Sequence, residues 1–181
     1  MATIVLIRGK AGTGKSTVAR ALARRNRFNV LHKDDLYDSV AEFVPEHARR
    51  NQICFAFLYR FLQGVIESNS PVLLDFGFNH ADDVKKLEHW VAERGGALKA
   101  VRCICSDEAI WSERLSSRSR NPLPNQLITD LTKLKEHYSD IKNEDYENEF
   151  VIDTVLDVES NVHRILSYMN GFRRGSEPCE W

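Results

Sequence analysis

Five short apolar runs punctuate the chain: Thr3 to Ile7, Phe28 to Leu31, Val72 to Asp75, Leu98 to Cys105 and Phe150 to Ile152. Between them the apolar positions recur every three or four residues, which is the period of a helix. The pattern predicts helices over Lys15 to Arg25, Pro45 to Ser68, Ala81 to Arg94, Asn125 to Tyr138 and Asp157 to Met169. One further helix should start at Ser106-Asp107-Glu108, where a cap and an acidic first turn coincide. Strands that alternate with helices are joined by crossovers, so the expected fold class is α/β: a five-stranded parallel sheet with helices on both faces. Two of the runs are nearly continuous, as strands buried on both faces require.

The helix from Pro45 carries Phe55, Phe57, Leu58, Phe61, Leu62, Val65 and Ile66 and is expected to be largely buried; Arg60 and Gln63 interrupt its apolar run. Gly95-Gly96 ends the helix before it, in the manner of a glycine stop. Pro122 and Pro124 break the pattern after the helix that starts at Ser106-Asp107-Glu108. No repeat or linker divides the chain. It is expected to form a single domain over 1–170, with a short lid near 114–125 and a flexible tail over 171–181.

Composition narrows the class of protein. With 181 residues, 43% of them hydrophobic, the chain can bury one substantial core. Its 25 Lys and Arg against 26 Asp and Glu give a net charge of -1, which disfavours a surface built throughout to grip nucleic acid. A local basic stretch does exist at Arg20, Arg24, Arg25 and Arg27, so a nucleic-acid partner stays possible without being favoured. No run reaches the ~18 apolar residues of a membrane span, and the start resembles no secretory leader; no membrane partner and a cytoplasmic location are expected. The cysteines at 54, 103, 105 and 179 form no C-x-x-C pair and read as reduced structural thiols.

The most informative stretch is Gly9-Lys10-Ala11-Gly12-Thr13-Gly14-Lys15-Ser16. It fits G-x-x-x-x-G-K-[ST] between a predicted strand and a predicted helix, the context in which this pattern cradles a polyphosphate. Glycines let the backbone curl until successive N–H groups face the phosphates, and the helix N-terminus adds its dipole. Gly12, Thr13 and Gly14 supply that cradle, Lys15 reaches the β- and γ-phosphates, Ser16 offers its hydroxyl to Mg²⁺, and Thr17 approaches the α-phosphate. The expected cofactors are ATP and Mg²⁺.

Other features suggest transfer over hydrolysis. The guanine-reading N/T-K-x-D segment is missing; the nearest string, Thr132-Lys133-Leu134-Lys135, lacks the Asp. Asp75 ends an apolar strand and can hold the metal shell, but Phe76-Gly77 follows it, so no adjacent carboxylate stands ready to activate water. Lys33-Asp34-Asp35 lies at the mouth of the second strand, on the same rim. An acceptor hydroxyl needs a carboxylate within hydrogen-bond reach, and Asp34 or Asp35 can supply it while the other caps the following helix. Arg114 and Arg118 share a helix face and Arg120 falls where the prolines end it, a suitable flap of guanidinium groups over a nucleotide.

Taken together, Gly9 to Thr17, Lys33-Asp34-Asp35, Leu74-Asp75 and the arginine stretch resemble the P-loop small-molecule and polynucleotide kinases. That group includes chloramphenicol phosphotransferase, zeta-toxin, gluconate and shikimate kinases and polynucleotide 5′-kinase domains. The resemblance covers nearly the whole chain. It implies a three-layer fold with sheet order 2-3-1-4-5, ATP- and Mg²⁺-dependent transfer of the γ-phosphate to a hydroxyl, Asp34 as the acceptor-orienting base with Asp35 in reserve, and Arg118 on the transferred phosphate. Arg114 and Arg120 are its neighbours in that role. Several members of the group carry an arginine just after the acidic site to hold an anionic acceptor, whereas Leu36-Tyr37-Asp38 follows here. Arg49 and Arg50 are the candidate replacements for such an anion site.

One or two of the rings Phe55, Phe57, Tyr59 and Phe61 could line an acceptor pocket and favour an apolar or aromatic alcohol. The histidines His32, His47, His80 and His89 lack metal spacing and receive no chemistry. The alternatives are an ATP-binding regulatory module without turnover and a nucleic-acid 5′-hydroxyl kinase.

Overall fold

The computed structural model describes residues 1–120, 123–141 and 145–171, without the side chains of 119 and 120. Five strands form one sheet: β1 (Thr3–Arg8), β2 (Asn29–His32), β3 (Val72–Asp75), β4 (Ala97–Ile104) and β5 (Glu149–Asp153). All neighbours are parallel and the order is β2-β3-β1-β4-β5. The expected α/β class, strand number and order are those observed.

Alternation along β1 decides how the layers are filled. Ile4 and Leu6 point to one face, where they pack with α3 (His47–Glu67) and α4 (Ala81–Glu93) through Leu58, Leu62, Val84, Leu87 and Val91. Val5 and Ile7 point to the other and meet α1 (Lys15–Asn26) and α7 (Val158–Gly171) through Val18, Leu22, Val162 and Ile165. A central strand with both faces covered cannot carry a polar position cheaply, and the run from Ile4 to Ile7 is accordingly buried throughout.

Arg8 continues the parity of Ile4 and Leu6 and is fully buried. Its Nε donates to the Phe78 carbonyl at 2.6 Å, one terminal nitrogen donates to the Asn79 carbonyl at 3.1 Å, and the other pairs with Glu149. A single buried cation therefore ties the end of β1 to the loop after β3 and to the start of β5.

Three expectations change. The run Asn125 to Tyr138 is helical only as α6 (Leu131–His137), because Asp130 caps it through Lys133 N at 2.9 Å and Asp38 holds Asn125 upstream in a turn. The helix over Pro45 to Ser68 starts at His47 and buries one stripe, Cys54, Leu58, Leu62 and Val65, while Phe57 is 42% exposed. Neither Asp34 nor Asp35 caps α2 (Lys33–Ser39): His32 occupies the cap position and both carboxylates sit in the first turn, where the helix dipole favours them.

α5 (Glu108–Ser116) starts as expected, with Asp107 accepting from Ala109 N and Ile110 N. A 3₁₀ turn, Ser117–Arg120, follows it. Part of the expected lid, the Arg120 side chain, and the expected tail beyond Gly171 with Cys179 lie outside the described residues. Cys54, Cys103 and Cys105 are unpaired and buried, and burial pushes the Cys103 thiol up to about 12. Among the described residues no helix is long and apolar enough to cross a membrane.

Candidate functional site

The C-terminal ends of β1, β2 and β3 open onto one cavity of about 940 Å³. Its walls include Gly12, Gly14, Lys15, Ser16 and Thr17 from the loop after β1, Asp34 and Asp35 from α2, Asp75 from β3, and Arg114 and Arg118 from α5 and the turn beyond it. The sheet edge thus gathers residues up to 106 positions apart in the chain, at the place where open parallel sheets hold ligands.

Sterics force the glycine loop. At Gly9 a Cβ would stand 2.3 Å from the Cys103 carbonyl, so only glycine lets the loop leave β1 this close to β4. At Gly12 the backbone has φ +80°, and a Cβ would meet Leu115 at 2.9 Å and Trp111 Nε1 at 3.0 Å. Trp111 Nε1 donates to the Ala11 carbonyl at 2.8 Å, so α5 braces the loop from outside. Lys15 Nζ donates to the Lys10 carbonyl at 2.9 Å, which folds the lysine back over the cradle.

Thr154, just after β5, braces the loop from the other side. Its hydroxyl donates to the Thr13 carbonyl at 2.9 Å and accepts from Arg114, whose second terminal nitrogen donates to the Thr154 carbonyl at 2.9 Å. Arg114 is therefore both a wall of the cavity and a strut between α5 and the phosphate loop.

Asp75 is buried at the sheet edge and accepts from His32, its register partner on β2, over 2.8 Å. Burial alone would raise the Asp75 carboxyl; the hydrogen bonds from His32 and Ser16 and the charge of Lys15 outweigh it and hold the group below the ordinary carboxylate value. The same hydrogen bond raises His32 above the ordinary imidazole value, against its own desolvation. Asp34 behaves oppositely. It reaches solvent in the cavity but protein crowds its other sides, and this desolvation, with Asp75 nearby, lifts its carboxyl despite the pull of Lys15. Lys33 is pushed down by burial and stands over the Phe55 ring at 5.4 Å.

Mg²⁺ suits this donor set. Ser16 and Asp75 present hard oxygen ligands side by side, and among the described residues no group of three or more His, Cys, Asp or Glu is placed to cage a metal. A cation held by one hydroxyl and one carboxylate needs phosphate oxygens and water to complete its shell, as Mg²⁺ beside a nucleotide has.

The sequence profile of the AAA domain family matches residues 4–135. The chain belongs to the AAA domain family. As in the sequence reading, this AAA domain has one carboxylate at the end of β3 and Phe76 after it. Several of its neighbours among solved structures are kinases by name. A candidate kinase from Chloroflexus aurantiacus is 17% identical with TM-score 0.74, over 91% of this chain and 97% of that one. A sugar kinase from Janibacter is 15% identical with TM-score 0.68, over 94% and 95%. A gluconokinase from Sinorhizobium meliloti is 17% identical with TM-score 0.64, over 95% and 97%. Comparison with curated proteins finds no match. The P-loop kinase fold is thereby shown.

Not every expected residue reaches the cavity. Arg49 is exposed, and Arg50 donates to the Val44 carbonyl, to the Pro45 carbonyl at 2.9 Å and to the Tyr37 hydroxyl at 3.4 Å; neither lines it. Of the four aromatic candidates only Phe55 does. Arg24 and Arg25 line a separate groove of about 440 Å³ with Glu159, while Arg20 borders both this groove and the main cavity. His32, His47 and His80, which received no chemistry from the sequence, line the cavity, as do Asn51, Asn79 and Thr154, which were not singled out from it. Only His32 carried a local signal, its place at a strand end beside Lys33-Asp34-Asp35, in register with Asp75.

Proposed function

We propose that this AAA domain protein is an ATP- and Mg²⁺-dependent phosphotransferase that moves the γ-phosphate of ATP to a hydroxyl of a small molecule. The observation that carries this reading is the convergence of Lys15, Ser16, Asp75 and Asp34 on one cavity at the sheet edge. The kinase-like neighbours, a sugar kinase and a gluconokinase among them, support it.

The loop Gly9 to Ser16 binds the triphosphate through its N–H groups, and Lys15 neutralises charge on the β- and γ-phosphates. Mg²⁺, held by Ser16 with Asp75 in its shell, would supply further positive charge to the phosphate oxygens. Asp34 accepts a hydrogen bond from the acceptor hydroxyl and aims its oxygen at the γ-phosphorus. As the new O–P bond forms, the bond from the γ-phosphorus to the bridging oxygen breaks. ADP leaves with that electron pair, and the hydroxyl proton passes to Asp34. A carboxyl lifted by desolvation is the better proton acceptor, because its basicity is closer to the working pH. Arg118 supplies charge to the transferred group from the cavity wall, and Asp35 is the second carboxylate of the acceptor end.

The test is transfer of label from γ-labelled ATP with Mg²⁺ to a panel of sugars, polyols, nucleosides, antibiotic alcohols and 5′-hydroxyl oligonucleotides. Labelled product is expected with at least one small-molecule acceptor. Lys15→Met should abolish transfer, and Asp34→Asn should keep ATP binding and lose transfer. Full turnover in Asp34→Asn would overturn the assignment of the base; ATP binding with no product from any acceptor would favour a nucleotide-sensing module.

A further inference from the structure

Lys33 is a cation of the cavity wall with no carboxylate of its own. It opens α2, where the helix dipole disfavours positive charge, and its side chain is half-buried. Among the described residues Nζ makes no hydrogen bond and no ion pair; it rests over the face of Phe55, 5.4 Å from the centroid. That ring is a fixed support, packed edge-on against Phe76 and Phe78 with centroids 6.1 and 5.3 Å away. Nζ keeps accessible surface, so a molecule in the cavity can touch it. A partly desolvated ammonium gains from the ring face, but its N–H donors are left unfilled.

The acidic residues of the cavity are directed elsewhere. Asp75 accepts from His32, Asp38 from the main-chain and side-chain nitrogens of Asn125, and Asp83 from Lys86. Asp34 and Asp35 follow Lys33 directly, but consecutive residues of a helix do not face one another. The charges that bear on Asp34 are first those of Lys15 and Asp75 and only then that of Lys33, while Asp35 acts on His32. Both carboxylates therefore look toward the phosphate loop and the strand ends, whereas Lys33 leaves α2 toward α3.

Positive charge accumulates around Lys33. Burial is the largest cause that lowers His47, and Lys33, Arg50 and His137 each push it the same way. Arg50 directs its donors to neutral oxygens, the Val44 and Pro45 carbonyls and the Tyr37 hydroxyl. Neither it nor His47 nor His137 is ion-paired among the described residues. Lys33, His47 and His137 all line the cavity. Like charges gathered without a counter-ion repel one another, and an anion placed among them relieves that repulsion.

Resting on the phosphotransferase reading, we propose that the acceptor carries an anionic group, a carboxylate or a phosphate monoester, held by Lys33 Nζ on the α3 side of the cavity while its reacting hydroxyl lies at Asp34. Lys33 supplies, from just before the acidic pair, the cation that Leu36-Tyr37-Asp38 does not supply after it. Phe55 holds the lysine in place and, covered by it, is not free to stack on an aromatic acceptor.

The experiment offers matched acceptors to the enzyme with γ-labelled ATP: a hexitol against the corresponding aldonate, and a hexose against its phosphate monoester. The anionic member of at least one pair should be used with kcat/KM about tenfold higher or more, and the pair that shows it tells carboxylate from phosphate. Lys33→Met should bring that preference to within about threefold of unity, Lys33→Arg should keep it, and the KM for ATP should stay within about twofold in both. Lys33→Gln replaces Lys33→Met if that variant melts too early to assay, and the preference of the unaltered enzyme needs no variant. Equal use of both members of each pair, or transfer confined to neutral acceptors or to oligonucleotides, would overturn the acceptor class while leaving the kinase reading standing. A preference that survives in Lys33→Met would place the anion elsewhere, and a KM for ATP raised about tenfold there would place Lys33 at the γ-phosphate; either overturns the role of Lys33. ATP binding without transfer to any member of the pairs or of the wider panel would remove the kinase reading itself.

Discussion

His32 and Asp75 are register partners across the β2–β3 ladder, and their side chains meet at 2.8 Å where both strands end at the cavity. A histidine so placed fixes the rotamer of the carboxylate that shares Ser16's hydrogen bond, and orientation by an outer partner is commonly worth 10–100-fold in metal affinity or activity. His32→Leu should lower phosphate transfer about tenfold and raise the Mg²⁺ concentration needed for half-maximal rate. A Mg²⁺ titration of the transfer rate reads both. An unaltered Mg²⁺ requirement would show that the pair is structural only.

Gly12 combines a positive φ with contacts to Leu115 and Trp111 that leave no room for a methyl group. Gly12→Ala should eliminate ATP binding by forcing the loop off Trp111 and the Ala11 carbonyl, while the far-ultraviolet circular dichroism stays native. Calorimetric titration with ATP decides it, and ordinary affinity in the variant would mean that the loop is held less tightly than these contacts require.

The Arg8 side chain is 1% exposed and pairs with Glu149, which is 3% exposed and also ion-paired with Arg102 at 2.8 Å. Removing one partner of a buried ion pair strands the other, at a cost of about 3 kcal/mol or more. Arg8→Met should therefore destabilise the fold by about that amount, somewhat moderated by Arg102, and Arg8→Met with Glu149→Leu should recover part of it. Urea denaturation of the two variants tests the order.

Desolvation is the largest influence on His47 and lowers it below the ordinary 6.5, with the charges of Lys33, Arg50 and His137 acting in the same sense; Tyr37 faces its Nδ1. Between the folded value and 6.5 the unfolded chain binds more protons, so this group's contribution to stability is complete above 6.5 and is lost as the pH falls through the folded value. The ring is partly exposed, so the stability change should be small. His47→Gln should remove this acid-side loss of stability, as urea denaturation at several pH values would read, and an identical loss in the variant would assign it elsewhere.

The sequence by itself determined the sheet and the phosphate loop. Each signal there is local: β-branched runs set the strands, the parity of Ile4 to Arg8 divides the two faces, and the spacing of Gly9, Gly12, Gly14 and Lys15 specifies a loop that few other structures tolerate. The rim positions of Asp34 and Asp75 were legible for the same reason, since each follows directly from where a strand stops. What the tertiary structure decided is which side chains face one another. His32 meets Asp75 across 43 positions, and Trp111 reaches Ala11 across 100. The period of a helix tells which of its residues share a face but not what that face meets, so Arg50 read equally well as an anion site or as the support it gives Val44, Pro45 and Tyr37.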